Sequence, residues 1–383
     1  MPPARPHVVI VVADDMGYSD LGCYGGEMAT PTLDRLAEAG ARLTRFYNTT
    51  RCSPSRASLL TGLHPHQAGI GILTSDDLPD GYRGSLNERC LTIAEVLGGA
   101  GYATCLSGKW HLASQEWVPS DAWPTRRGFQ RFFGTISGCG SYYRPTTLTR
   151  GEQNVENEAA KPGFLYTDAI TDEAQAFIRQ QAASEPDRPF FLYTAYTAPH
   201  WPLHAPAEDI ARYRGRFDAG WDDLREARLR RLVAEGLMPA GTTLSDRDPT
   251  QPAWRDALDQ TWQLVRMQTY AAQIDRMDRG VARIVTALTE TGALDHTLFF
   301  FSPTTAPAPR VCRSRIPRPS AIGAASYRLR PGPAHHCGSA THPTSSPGRT
   351  IPTAAMGGRG RIFRTRRFAS TSAGCTKAAS RHR

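Results

Sequence analysis

The run Val8-Val9-Ile10-Val11-Val12-Ala13, followed at once by Asp14 and Asp15, constrains this chain more than any other stretch. Six apolar residues, five of them β-branched, leave no polar face to turn to water. They predict a strand covered on both sides, as in a parallel sheet between two helical layers. The rest of the chain keeps the pattern. Thr30-Pro31, then Leu33, Leu36, Ala37 and Gly40, predict a capped helix with an apolar stripe and a glycine stop, and the next strand is expected over 42–47. Helices near 91–99 and 167–181 alternate with strands at 102–107 and 190–196, and a long helix over about 262–288 leads to a strand at 298–301. The segment 218–259 is charged and loop-broken and reads as an excursion. The expected class is α/β, a mostly parallel central sheet sandwiched by helices, with ligands outside the carboxyl ends of the strands.

Beyond Phe301 the character changes. Residues 302–383 hold ten prolines, 15 of the chain's 45 Lys and Arg, and none of its 36 Asp and Glu. The formal charge of +9 therefore belongs to this tail, and residues 1–301 carry a net of −6. A segment without apolar periodicity cannot offset its ordering entropy, so 302–383 is expected to be a disordered basic tail. Its few aromatics and lack of any recognisable module argue against a nucleic-acid partner. No apolar run approaches the roughly 18 to 20 residues of a membrane span, which argues against a membrane role. The N-terminal apolar run ends in two aspartates rather than a small-residue cleavage site, which leads to the expectation of a cytoplasmic chain. Eight cysteines without a CxxC pair are expected to be mostly free thiols.

Three features follow expected strands, where an α/β sheet collects its chemistry. Asp14 and Asp15 repel unless a cation neutralises them; a hard divalent metal or a solvated turn would account for the pair. Cys52-Ser53-Pro54-Ser55-Arg56 places a thiol at a helix N-terminus, where unpaired N–H groups and the dipole favour negative charge, with Arg56 one turn on. A buried structural cysteine is the alternative. Lys109, His111 and His200 read either as site residues or as a solvated cation and two satisfied core histidines.

Cys52-x-Pro54-x-Arg56, followed after four residues by Thr61-Gly62, resembles the signature of the sulfatase family. Ala13-Asp14-Asp15-Met16-Gly17-Tyr18 and Thr30-Pro31-Thr32-Leu33-Asp34-Arg35-Leu36-Ala37 are similar to the opening of that family. Gly108-Lys109-Trp110-His111 and Ala198-Pro199-His200-Trp201-Pro202 resemble two further active-site segments, in the family order. The resemblance covers about residues 6–301 and implies an alkaline phosphatase-like fold and a sulfuric ester hydrolase of arylsulfatase type. It implies that a separate maturation enzyme converts Cys52 to formylglycine, whose hydrated aldehyde is the nucleophile. It implies that Asp14, Asp15 and the modified Cys52 bind a calcium ion and that Arg56 holds the diol. Lys109 and His200 would contact sulfate oxygens or protonate the leaving alcohol, and His111 would polarise the second diol hydroxyl. The implied partners are a small-molecule sulfate ester and the maturation enzyme. His64 and His66 match no catalytic position of the family and read as structural.

The chain departs from the family after 298–301. An Asp and an Asn in an Asp-Asn-Gly turn should complete the calcium shell there, but the sequence is Ser302-Pro303-Thr304-Thr305-Ala306-Pro307. Neither threonine replaces a carboxylate and an amide. Regrouping the codons, third base with the next two, lets 303–307 read Asp-Asn-Gly-Ala. The same offset lets 368–380 read Arg-Glu-Tyr-Lys-Arg-Trp-(Leu or Val)-His-Glu-Gly-Gly-Ile-Ala, similar to a later family segment bearing an active-site lysine. One shift of reading frame thus accounts for the missing acids, the surplus arginine and the lost periodicity. The expected organisation is a sulfatase-like domain over 1–301 and out-of-frame translation over 302–383, with little or no activity. The rival readings are a phosphonate monoester or phosphodiester hydrolase of the same fold, and a non-catalytic remnant.

Overall fold

A computed structural model of the chain describes residues 5–49, 51–74 and 79–304. The first strand, β1 (His7–Ala13), lies inside a seven-stranded sheet of order β5-β4-β3-β2-β6-β1-β7. β2 is Ala103–Gly108, β3 Arg131–Thr135, β4 Leu148–Arg150, β5 Gln153–Asn154, β6 Phe190–Ala195 and β7 Thr297–Pro303. β1 pairs in parallel with both neighbours, Val9 standing opposite Leu192 of β6 and Phe299 of β7. β2 is parallel to β3 and β6, whereas β4 and β5 add antiparallel strands at the far edge.

The unbroken apolar run of β1 follows from this position. Val9, Val11 and Ala13 face a layer built from α1 (Pro31–Ala39), α4 (Tyr166–Ser184) and α7 (Gln260–Glu290). Ile10 and Val12 face Ala57 and Leu60 of α2 (Cys52–Thr61) and Ala94 of α3 (Ile93–Gly99). Successive side chains of a strand point to opposite faces, so two covered faces demand an apolar residue at every position. Each such fully buried valine contributes roughly 1.5 to 3 kcal/mol.

α1 begins with Pro31 in its first turn after Thr30 and stops at Gly40, as the sequence predicts. Its first turn is held by the buried Asp278 of α7, whose carboxylate accepts from the Thr32 and Leu33 amides at 3.0 and 2.9 Å. The strand expected over 42–47 does not form; these residues lie in an exposed loop. Both edges of β1 are already taken by β6 and β7, so this segment has no place beside it. The excursion over 218–259 is less irregular than expected, because Gly220–Ala234 forms helix α6. Arg228 of α6 anchors it to the sheet ends, donating to Asp20 at 2.7 Å and to both oxygens of Glu27. Strands β3 to β5 and the short helix α5 (Ala207–Ala211) had no clear periodicity.

Among the described residues β7 is the outer strand on its side of the sheet, and it runs to Pro303, two residues past the expected end. Phe299 and Phe301 pack on the α7 layer, but Leu298 and Phe300, on the α2 side, are half exposed at 50% and 51%. The tail beyond Thr304, for which disorder was expected, lies outside the described residues. Within them, no helix is long and apolar enough to cross a membrane, and Cys23, Cys52, Cys90, Cys105 and Cys139 are free thiols.

Candidate active site

The carboxyl ends of β1, β2, β6 and β7 meet around Asp14, as expected for an α/β sheet. The Asp14 amide donates to the Ala198 carbonyl beyond β6 at 2.9 Å, and the Thr304 amide beyond β7 donates to the Ala13 carbonyl at 2.9 Å. Asp14 is thus the point where three strand exits are sewn together. Its carboxylate is wholly buried, as are Lys109 and Arg56. Lys109 Nζ donates to Oδ2, Arg56 Nη2 stands 3.6 Å from Oδ1, and Thr304 Oγ1 donates to Oδ1 at 2.6 Å. Burial alone would raise the Asp14 pKa; Lys109 and Arg56, aided by His200, outweigh it and hold the group well below the usual carboxylate range.

Lys109 is carried by the turn that ends β2. Its amide donates to the Ala195 carbonyl at 2.8 Å, and the preceding Gly108 has φ 122°. A Cβ on Gly108 would overlap the Ala195 carbonyl, so a close backbone approach requires glycine there. Arg56 reaches the same turn, donating from Nη1 to the Lys109 carbonyl at 2.8 Å. Cys52 opens α2 one turn before Arg56 and is buried, and residues four apart are neighbours on a helix surface. The two therefore share one helical face, with Cys52 at the positive end of the α2 dipole.

Asp15 has φ 59°, which turns its side chain away from the strand axis and toward β6. His200 Nε2 lies 3.1 Å from Asp15 Oδ2, and His200 Nδ1 lies 2.6 Å from the Trp201 carbonyl. Burial and the nearby Lys109 charge lower the His200 pKa against the opposing pull of Asp14 and Asp15. His111, also at positive φ, sits further along the Lys109 turn, with its amide donating to the Ile136 carbonyl at 3.0 Å and its ring against Gly138.

Asp14, Arg56 and Lys109 thus converge directly, Cys52 joins them through Arg56, and Asp15 with His200 forms the adjoining pair. His111 shares their strand end but stands on the Gly138 wall. Tyr270 of α7 had no sequence signal: its hydroxyl donates to Asp20 Oδ2 at 2.7 Å and lies 3.4 Å from the Asp15 carbonyl. Only the long-range fold places it there. A cavity of about 660 Å³ lined by Cys23, Asp34, Arg42 and Glu235 contains none of these residues.

The family model for sulfatases matches residues 6–302, which is most of the chain and all of the described core. The chain belongs to the sulfatase family. It is 33% identical over 321 residues to an arylsulfatase of Klebsiella aerogenes, covering 78% of this chain and 65% of that one. An uncharacterized sulfatase of Schizosaccharomyces pombe is 33% identical over 322 residues, covering 78% and 57%. Human arylsulfatase A is 36% identical over 249 residues, covering 58% and 46%. This sulfatase chain therefore spans about half to two thirds of the length of these curated relatives. Among solved structures, Ps i-CgsB, seen in complex with k-i-k-neocarrahexaose, superposes with a TM-score of 0.57 at 26% identity, over 78% of this chain and 58% of that one. The PsFucS1 sulfatase from Pseudoalteromonas sp. gives 0.52 at 23%, over 78% and 55%, and supports the fold alone.

Sulfatase chemistry implies a calcium ion, and the described residues do not fit one. Asp14, Asp15 and Thr304 provide oxygen donors from three side chains, two carboxylates and a hydroxyl, for an ion that takes six to eight. Thr304 spends its proton on Asp14, and Lys109 and Arg56 already neutralise that carboxylate. Among the described residues no group of three or more His, Cys, Asp or Glu converges to hold a metal.

Proposed function

We propose that this sulfatase-family chain carries the framework of a sulfuric ester hydrolase acting on aryl or simple alkyl sulfates. The observation that carries the reading is the meeting of Lys109 and Arg56 at the buried carboxylate of Asp14, with Cys52 on the same face of α2 as Arg56. Formylglycine at Cys52 would supply a hydrated aldehyde as nucleophile toward sulfur. Its position at the first turn of α2 fits that role, because the helix amides and Arg56 favour developing negative charge. Arg56, fixed by the Lys109 carbonyl, orients the group at Cys52. Lys109 is the cation available to a sulfate oxygen once it leaves Asp14. His200, held by Asp15 through Nε2, is the imidazole nearest to exchange a proton with the leaving oxygen, and its lowered pKa favours the neutral ring until the negative charge of a bound ester draws a proton to it. His111 would polarise the second hydroxyl at the modified Cys52.

We further infer that the reading frame shifts near Phe301, that the chain as it stands has little or no turnover, and that the protein is cytoplasmic. Restoring an Asp and an Asn after β7 would bring the oxygen donors toward the number calcium requires. The test is to sequence the DNA around codons 299–303, restore the frame, co-produce the product with a formylglycine-generating enzyme, and assay it. An aryl sulfate should be hydrolysed faster than an aryl phosphonate, with aldehyde detected at Cys52. Faster phosphonate hydrolysis would replace the substrate class, and turnover with an intact thiol would overturn the mechanism. A confirmed, uninterrupted frame with the tail found as peptide would end the frameshift reading.

A further inference from the structure

His64 and His66 have no part in the Asp14 site, yet the structure pairs them. Their Nδ1 atoms are 3.0 Å apart, with ring planes 16° from parallel and centroids 4.8 Å apart. His66 Nε2 is 3.0 Å from the Tyr82 hydroxyl, and the two rings meet edge-on with centroids 4.9 Å apart. The turn that presents them is built rigidly. Gly62, in the left-handed region, ends α2, and the His64 amide donates to Gln67 Oε1 at 3.0 Å. The Ile70 amide donates to the Pro65 carbonyl at 2.8 Å, and Asn87 Nδ2 holds the Gln67 carbonyl at 2.8 Å.

We propose that His64 and His66 bind a divalent transition-metal ion of the nickel or copper class through their two Nδ1 atoms. Imidazole nitrogen suits such ions, and the spacing selects among them. With metal–nitrogen bonds of about 2.1 Å, two nitrogens 3.0 Å apart subtend about 90° at the metal. That is the cis angle of tetragonal or octahedral coordination rather than the wider tetrahedral angle of zinc. Tyr82 supplies the outer partner: by accepting the Nε2 proton of His66 it leaves the Nδ1 lone pair for metal, as oxygen partners of metal-ligating histidines do. The metal takes the place of the Nδ1–Nδ1 hydrogen bond of the free pair, so His64 shifts its single proton to Nε2, and water completes the coordination. No charge is buried in the process, because His64 is exposed.

The site lies at the opposite end of α2 from Cys52, about 15 Å along a ten-residue helix, so it does not compete with the site at Asp14. A metal here would clamp the exit of the helix that carries Cys52 and Arg56, and binding to the folded form alone would raise its melting temperature.

The test is calorimetric titration of the full chain with nickel chloride, comparing wild type with His64→Gln/His66→Gln and with Tyr82→Phe. Wild type should take up one more nickel ion per chain than the double variant, and Tyr82→Phe should weaken that step about tenfold or more. His64→Gln alone, at an exposed position, should remove the same step while leaving the metal-free melting temperature unchanged. Superimposable isotherms for wild type and His64→Gln, whatever nickel binds elsewhere, would overturn the site. An unchanged affinity in Tyr82→Phe would overturn the part given to Tyr82.

Discussion

Replacing Lys109 by methionine tests whether its ammonium is the built-in counter-ion of Asp14. Both groups are fully buried, so the substitution keeps most of the side-chain volume but leaves a carboxylate inside the protein with less compensation. Breaking a buried pair costs about 3 to 5 kcal/mol. Lys109→Met should fall at about 3, because Arg56 remains 3.6 Å away, an interaction of about 4 to 5 kcal/mol at an effective dielectric near 20. Asp14→Asn should reach about 5, since it strands two buried cations instead of one anion. The double variant should cost well below the sum, because the second substitution removes a charge that the first left without its partner. Urea unfolding at pH 7 in chelator, with all four chains, reads the cycle. Costs that add to within about 0.5 kcal/mol would refute the coupling. A second arm adds millimolar calcium to wild type. With Asp14 neutralised internally the midpoint should not move, and a rise above about 1 kcal/mol would show that the ion displaces Lys109.

Gly108→Ala should cost about 4 kcal/mol or more and leave little soluble protein, because its Cβ would overlap the Ala195 backbone; a normal melting temperature would contradict the close approach. Gly138→Ala pushes a methyl into the His111 ring and should destabilise by about 1 to 3 kcal/mol while shifting the His111 proton resonances, whereas unmoved resonances would place the ring elsewhere. Burial raises the Cys23 thiol to about 12, with Asp34 adding to the effect, and burial raises Cys105 to about 12 as well. At pH 8 about one part in ten thousand of each is thiolate. Iodoacetamide should therefore spare both in the native chain and label them in urea, and native labelling should rise with pH; rapid native labelling at pH 8 would refute the assignment.

The sheet was legible wherever both faces of a strand are buried. Val8 to Ala13 declares itself because no polar residue interrupts it, and Phe190 to Ala195 because Thr194 is its one break among aromatic and aliphatic residues. The helix α7 was legible from its length and stripe, with its ends falling two residues beyond expectation on each side. Residues 42–47 misled because a six-residue run with apolar side chains at Leu43, Phe46 and Tyr47 carries no period that separates strand from loop. β4 and β5, three and two residues long, are too short to carry a period. The site was legible as motifs rather than as geometry. That Lys109 closes on Asp14 depends on the register of β2 against β6, and Tyr270 reaches Asp15 across 255 positions of sequence. Thr304 was rejected as a metal ligand on chemical grounds, and the structure gives it a different task, donating its hydroxyl proton to Asp14.

Among the described residues, β7 has a neighbour on one flank only, and its other flank leaves a row of amides and carbonyls open beside Leu298 and Phe300. Such a margin accepts any extended peptide, including the same strand of another molecule. Self-association through this margin should then rise with the concentration of the polypeptide. Dilution would serve its recovery better than any stabilising substitution in the core.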